Sequence, residues 1–363
     1  MPRSRVLACL LCWGSLALPA AGGDLGFGPL RVPSQSPGQG LRMTVVPFSP
    51  EPPAPGTWVV RSRVEWVNVW SWEPGTYRFD FEMLEGALSA AHGLDRRTWI
   101  ELEVQDRSTF RGSMDGLIQN FHHLFGLPQG GRDRFPRYAY GIHLEDGRGR
   151  VLVDRDRPFG DATGAQVSLF RVLVEGDEHR PWLTLGGGLR WALSRGMVRG
   201  PHRWDAQVRA AAGRRWHRWS VFLNAGYTWF GETSFAGVVP FKHSQWTGAL
   251  SVEWRAFRRS SIVGQYLAAE GPVDGIEPFD SFSHEVLLAW VGPVGPGLVL
   301  EAGFIENMFH YDAGPDFGIH LGLRVTLPRR RPRSRPSRPG PGLPPAARGF
   351  RGAPRGRGTP TPG

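Results

Sequence analysis

The chain has 363 residues, a formal net charge of +10 and a mean hydropathy of −0.29. Ten arginines between 328 and 363, with no acid among them, account for all of that charge, so a nucleic-acid-binding body is excluded. Beyond the first 22 residues no apolar run reaches the roughly 18 residues of a spanning helix, which excludes a helical membrane protein but not a barrel of alternating strands.

Arg3 and Arg5 precede the apolar run 6–18 and the small residues Pro19-Ala20-Ala21-Gly22. That order predicts a cleaved signal peptide over 1–22 and export from the cytoplasm. Cys9 and Cys12 both fall inside it, so the exported chain has no thiol for a disulfide or a thiolate metal site. No cofactor or metal is expected. Residues 23–56 are rich in Pro, Gly and Ser, with one strand-like piece at 41–46, and form a candidate plug.

From Trp58 the pattern turns to period two. Val60, Val64, Trp66 and Trp70 alternate with Arg61, Arg63 and Glu65; Tyr77, Phe79, Phe81 and Met83 alternate with Arg78, Asp80 and Glu82. Ile100, Leu102 and Val104 alternate with Glu101, Glu103 and Gln105. Such alternation is a strand with one apolar and one polar face. Further candidates are 138–146, 150–157, 165–175, 181–194, 203–213, 217–230, 243–257, 260–270, 282–292, 298–309 and 316–327. The predicted fold is an all-β transmembrane antiparallel barrel of about 12–14 strands over 57–327. The poor alternation at 150–157 and 165–175 favours the lower count.

Connections at 146–150, 175–180, 213–216, 257–260 and 292–297 are short; those at 108–137, 231–242 and 271–281 are longer. Short inner turns alternating with longer outer loops, and both termini on one side, are the bacterial outer-membrane layout. The segments 71–75 and 87–97 break that rule. Trp58, Trp70, Trp99, Trp182, Trp204, Trp216, Trp229 and Trp290 fall near strand ends, as girdles at a membrane surface would. A soluble β-sandwich would need neither feature. The last strand, His320 to Leu327, resembles the C-terminal signal read by the barrel-assembly machinery, although it ends on Leu327 instead of an aromatic.

One segment departs from period two. Met114, Leu117, Ile118, Phe121, Leu124 and Phe125 recur at helical spacing, predicting an amphipathic helix in a long outer loop. Its apolar stripe is expected to pack on the barrel wall or mouth as a constriction helix. Asp115, Gln119 and His122 share the other side, with Asn120 and His123 nearby; Asp115, His122 and His123 are the candidates for hydrolytic chemistry, with a histidine as base. No serine is fixed by spacing.

The expected lumen lining is charged with both signs: Arg61, Arg63, Glu65, Arg78, Asp80, Glu82, Glu101, Glu103, Arg190, Arg209, Glu253, Arg255, Glu301 and Arg324, with Arg203, Asp205, Glu285 and His320 beside them. Arg63 and Glu82 are expected to meet across the first hairpin. Paired charges would fill and rigidify the interior; the alternative is a pore whose charged walls sort solutes, although a strongly ion-selective channel would favour one sign in a ring.

The motif Gly28-Pro29-Leu30, then Gln35-Ser36-Pro37, and above all the stretch from Asp115 to Arg132, resemble an uncharacterised bacterial outer-membrane family, domain of unknown function 3187. The resemblance runs from about Gly28 to Leu327 and supplies no activity or catalytic residue to carry over. The tail 328–363 falls outside it. Its composition is that of a disordered segment, and 349–358 resembles Arg-Gly segments that bind single strands, yet no nucleic-acid partner is expected for an exported chain.

The sequence therefore points to a bacterial outer-membrane barrel in contact with lipid and lipopolysaccharide. The expected function is a channel or passive transporter for a small solute. A lipid- or lipopolysaccharide-modifying hydrolase and a structural or partner-binding barrel are the alternatives. Nothing in the sequence speaks to the oligomeric state.

Overall fold

The computed structural model describes residues 25–328, except 127–128, 178, 277–278 and 308–313, and the side chains of Phe121 and Phe125. The expected signal peptide and the Arg-rich tail lie outside the described residues.

Twelve antiparallel strands close into a barrel. They are β1 (Trp58–Glu73), β2 (Tyr77–Gly93), β3 (Thr98–Phe110), β4 (Ala162–Val174), β5 (Trp182–Arg195), β6 (Trp204–Trp216), β7 (Trp219–Trp229), β8 (Ser244–Trp254), β9 (Ser261–Ala269), β10 (Ser283–Gly295), β11 (Leu298–Asn307) and β12 (Phe317–Leu327). Each pairs with its neighbours in sequence, and β12 closes on β1 from Trp58 opposite Leu327 to Asn68 opposite Phe317. Closure leaves no open edge, which a sheet in hydrocarbon cannot tolerate.

The two faces are inverted relative to a soluble protein. On β3, Glu101, Glu103, Gln105 and Arg107 are buried, whereas Leu102 and Val104 are about half exposed. Leu88, Leu169, Leu189, Leu223 and Leu321 are likewise exposed on other strands. A wall that turns leucine outward and carboxylates inward is built to meet lipid. Trp219 and Trp229 bracket β7 and are both exposed. At about 3.3 Å per residue and a tilt of about 40° they stand about 25 Å apart along the axis, the height of an outer-membrane apolar band.

Exposed Trp58, Trp216, Trp219 and Trp254 form the belt at the end holding Trp58 and Leu327, the terminal rim. Trp191, Trp204, Trp229 and Trp246 form the belt at the opposite, loop rim. Of the other tryptophans named from sequence, Trp70 is buried, Trp290 is half-buried, and Trp99 and Trp182 pack inside, Trp99 stacked on Phe170 at 4.7 Å.

The candidates at 138–146 and 150–157 are not wall strands. Gly141–Glu145 and Val151–Arg155 form a hairpin whose first strand pairs with the start of β2, Tyr77 opposite Leu144. The turn at 146–150 is thus the tip of an outer hairpin, correcting its expected place among the inner turns. With that hairpin inside the connection 111–161, the terminal-rim connections are 94–97, 175–181, 217–218, 255–260 and 296–297. The loop-rim ones are 74–76, 111–161, 196–203, 230–243, 270–282 and 308–316. The long inner connection expected at 87–97 disappears, because β2 runs on to Gly93.

Candidate functional site

Residues 25–50 pass through the barrel interior twice. At the terminal rim, the backbone N–H groups of Phe27 and Gly28 donate to Glu253 on β8 at 2.9 and 3.1 Å, and Arg324 on β12 donates to the Phe27 carbonyl at 2.7 Å. Arg31 pairs with Glu101 on β3 at 2.6 Å. Further along, Glu285 on β10 accepts the Gln35 N–H at 2.9 Å and the Ser34 hydroxyl. The chain turns at the loop rim, where Gln39 donates to the Glu270 carbonyl at 2.9 Å and Arg42 to the Lys242 carbonyl at 2.7 Å.

The returning leg descends past β5, β6 and β7. The Met43 N–H donates to Asp205 at 2.9 Å and the Phe48 N–H to Asn224 at 3.0 Å. Thr184 donates to the Pro50 carbonyl at 2.7 Å, close to where β1 begins. The strand-like piece at 41–46 forms no ladder. Its Met43 N–H finds the Asp205 carboxylate instead, which satisfies a buried backbone group without a neighbouring strand.

The wall makes room for this segment with glycine. A Cβ on Gly226 would stand 2.6 Å from a methyl of Val45, and one on Gly188 3.3 Å from the Met43 methyl. One on Gly213 would crowd Pro50 and Leu25 at 3.0 and 3.1 Å. Interior space that larger side chains would fill in a smaller barrel is occupied here by main chain.

Beside the segment lies a continuous charge network. Arg63 reaches Glu65 and Glu85 at 2.6 Å each and Glu103 at 3.6 Å. Arg107 reaches Glu85 at 2.9 Å through Nε, and His320 lies 3.0 Å from Glu65 and 3.4 Å from Glu301. Arg61 and Arg31 both face Glu101, at 3.9 and 2.6 Å. A cavity of about 20 Å³ remains among Arg31, Arg63, Glu103, Glu301 and His320, room for about one water. Charges of opposite sign are interleaved at contact distance, so the interior is cross-linked and presents no ring of one sign.

Of the residues assigned to the lumen from sequence, Arg61, Arg63, Glu65, Glu101, Glu103, Arg190, Arg209, Glu253, Glu301 and Arg324 occupy inward positions of their strands. Arg190 meets Asp205 at 3.3 Å, and Arg209 donates to the Val46 carbonyl at 3.3 Å. Four assignments are corrected. Arg78, Asp80 and Glu82 face out of the barrel, opposite Trp72, Trp70 and Asn68, and Arg255 lies beyond β8 at the terminal rim. Arg203 lies just before β6 at the loop rim and is exposed.

The reason is register. The turn Glu73–Thr76 closes with the Thr76 N–H on the Glu73 carbonyl at 3.1 Å and Gly75 at φ 73°, which pairs Glu73 with Tyr77. Every odd residue of β1 then faces an odd residue of β2. Arg63 lies opposite Ala87, not Glu82, and Tyr77, Phe79, Phe81 and Met83 point inward.

Those inward aromatics seal the loop rim. Beyond Asn68, β1 has no β12 partner, so the first hairpin projects and is widened by the outer hairpin. Phe79 and Tyr77 meet Phe279 of the connection 270–282 at 4.6 and 5.8 Å, and Phe81 meets Tyr140 at 5.8 Å. Leu30, Val32 and Leu41 of the luminal segment join the same apolar cluster. In the neighbouring connection 230–243, Glu232 pairs with Arg195 at 2.7 Å, and burial pushes its carboxyl up to about 6.

The expected helix exists as α1 (Asp115–Phe125), but its placement corrects the constriction reading. Its N-terminus is fastened to the outward face of the first hairpin. Glu82 accepts the Ser113 and Met114 N–H groups, the Ser113 hydroxyl at 2.9 Å and the Trp66 indole N–H at 2.7 Å. Arg132 ties the loop down with bonds to Asp115 at 2.7 Å, Asn68 at 2.8 Å and Asp316 at 2.7 Å. Met114, Asp115, Ile118 and His122 are buried against the wall, while Leu117, Leu124 and His123 are exposed. The stripe of Met114, Leu117, Ile118, Phe121, Leu124 and Phe125 is therefore split, because the Asp115–Arg132 pair turns the polar side inward. The Phe121 and Phe125 side chains lie outside the described residues. Asp115 is committed to Arg132 and the Tyr138 N–H, the latter at 2.5 Å, and Ser113 to Glu82. The hydrolytic constellation expected around His122 and His123 gains no geometric support from these contacts.

Among the arginines that organise these sites, sequence reasoning missed Arg31, Arg42, Arg107 and Arg195, and gave Arg132 no role beyond its place in a motif. Arg107 continues the odd series 101, 103 and 105 of β3, a signal that was present. Arg31 sits in a Pro- and Gly-rich stretch without periodicity. Among the described residues no cluster of His, Cys, Asp and Glu could hold a metal ion.

An inside-out, closed barrel of twelve strands with aromatic belts and an occupied interior defines a β-barrel of the outer-membrane type. The chain belongs to the family described as protein of unknown function (DUF3187), whose model matches residues 6–327. A comparison with curated proteins finds no match. Among solved structures the fold is similar to an outer membrane channel from Pseudomonas putida F1, at 13% identity and a TM-score of 0.50, covering 78% of this chain and 100% of that one. The NanC porin is similar at 8% identity and a TM-score of 0.44, covering 74% and 98%.

Proposed function

We propose that the protein is a channel for a small solute, closed by residues 25–50 acting as its plug. The observation that carries this reading is the double passage of that segment through the lumen, held by side chains of the wall and not by a strand ladder. Wall glycines shaped to the segment support it, since a purely structural barrel could fill the same space with its own side chains. Outer-membrane barrels keep their termini and short turns in the periplasm, so the terminal rim faces the periplasm and the α1 loop the exterior. The segment enters from the periplasmic side, where a partner or solute could draw it out.

Solute entry into proteoliposomes tests this reading. The double variant E253Q/E285Q weakens two wall-to-plug attachments and is expected to raise flux above that of the wild-type protein. Unchanged flux, with the variant folded and the segment shown by proteolysis to be released, would overturn it.

A further inference from the structure

The α1 helix carries an exposed apolar stripe on the lipid-facing side of the wall. Seven residues advance a helix by nearly two full turns, so Leu117 and Leu124 lie within about 20° of one another. They are 57% and 76% exposed, on the side away from buried Ile118 and His122. The level of the helix is fixed by its attachments: Asp115 reaches Asn68, and Met114 reaches Glu82. Asn68 and Glu82 form the next ladder pair on the outward face, two residues beyond Trp66 and Leu84. Leu84 is 40% exposed on the lipid face, and Trp66 packs 6.5 Å from Phe110 on the same face. The helix thus starts where the wall leaves the apolar band.

We infer that α1 lies in the outer-leaflet interface, with Leu117 and Leu124 immersed among lipid acyl chains. The exposed stripe is continuous with the lipid-facing wall below it, which selects lipid over a soluble partner. Exposed Arg111, Arg134 and Arg137 flank the helix in sequence and match the phosphates of anionic headgroups. Arg134 lies 5.3 Å over the Trp72 ring, on the same outward face. The expected constriction helix becomes a membrane-resting strap that braces the projecting first hairpin. This inference does not depend on the plug reading.

The test uses the full chain with Cys9 and Cys12 replaced by serine, reconstituted in vesicles of phosphatidylethanolamine and phosphatidylglycerol. L117C and L124C are labelled singly with an environment-sensitive fluorophore and exposed to lipid-borne nitroxide or aqueous iodide. L223C, mid-wall on β7, and R148C, at the outer hairpin tip, are the lipid and water controls. Both α1 labels are expected to be quenched severalfold more by shallow nitroxide lipid than R148C, and to resist iodide. Iodide quenching at the R148C level would overturn the inference. Protection from both quenchers would overturn it as well, because protein would then cover the stripe.

Discussion

Glu253 on β8 accepts the Phe27 backbone N–H at 2.9 Å, so a wall carboxylate holds the luminal segment through its main chain. Glu285 does the same for Gln35. Glu253→Gln and Glu285→Gln are each expected to cost about 1–2 kcal/mol, read from urea unfolding followed by loss of the fast-migrating folded form on unheated gels.

Gly226 faces Val45 with no room for a Cβ. Gly226→Val is expected to destabilise the closed form by about 1–3 kcal/mol and to increase protease cleavage within 25–50. Gly264, with nothing within 4 Å of its would-be Cβ, supplies the control: Gly264→Val is expected to leave both readings near wild type. Equal behaviour of the two variants would remove the steric argument for a fitted segment.

The loop outside the wall depends on the guanidinium of Arg132, which serves two carboxylates and an amide at once. Arg132→Ala strands buried Asp115 and is expected to cost about 3–5 kcal/mol locally. Arg132→Lys offers one point charge where a planar fork is needed and is expected to recover less than half of it. The readout is proteolysis between 113 and 135 with the barrel still heat-modifiable. Resistance equal to wild type in the alanine variant would contradict the role.

His143, on the outer hairpin, lies 2.9 Å from Glu145 and 3.4 Å from Asp154. The Glu145 bond raises its pKa above the ordinary histidine value, against partial burial. A raised folded-state pKa means the contribution is complete below the unfolded value of about 6.5 and fades as pH rises through the folded one. Amide exchange over 141–145 is therefore expected to quicken between mildly acidic and alkaline pH beyond the intrinsic rate, and His143→Gln to abolish the excess. His143 and Glu145 are half-buried at the surface, where solvent screens the pair, so the effect is small.

The barrel was legible because a membrane wall imposes period two on almost every strand. On β3, Glu101, Glu103 and Gln105 alternate with Ile100, Leu102 and Val104, and each set faces as read. The first hairpin misled because its odd residues change character along their length: Arg61, Arg63 and Glu65 meet charges, whereas Tyr77, Phe79 and Phe81 meet the apolar seal of the loop rim. Equating apolar with lipid-facing fails there, because the parity of the Glu73–Thr76 turn requires Arg63 and Phe81 to share a face. The luminal segment was harder to place. Its amides bond to single side chains from β6, β7, β8 and β10, and such partners leave no periodicity in the segment. Likewise, the α1 stripe gave the helix but not its orientation, which the Asp115–Arg132 pair sets across the loop.

The plug is tested most directly by fixing it in place. Val45→Cys with Gly226→Cys, in a chain without Cys9 and Cys12, joins the returning leg to β7 through a reducible bond. The oxidised protein is expected to show no solute flux in liposomes under conditions where E253Q/E285Q conducts, even with those two substitutions added, and reduction is expected to restore it. Equal flux in the oxidised and reduced forms would show that solute passes without movement of residues 25–50, and would contradict the account.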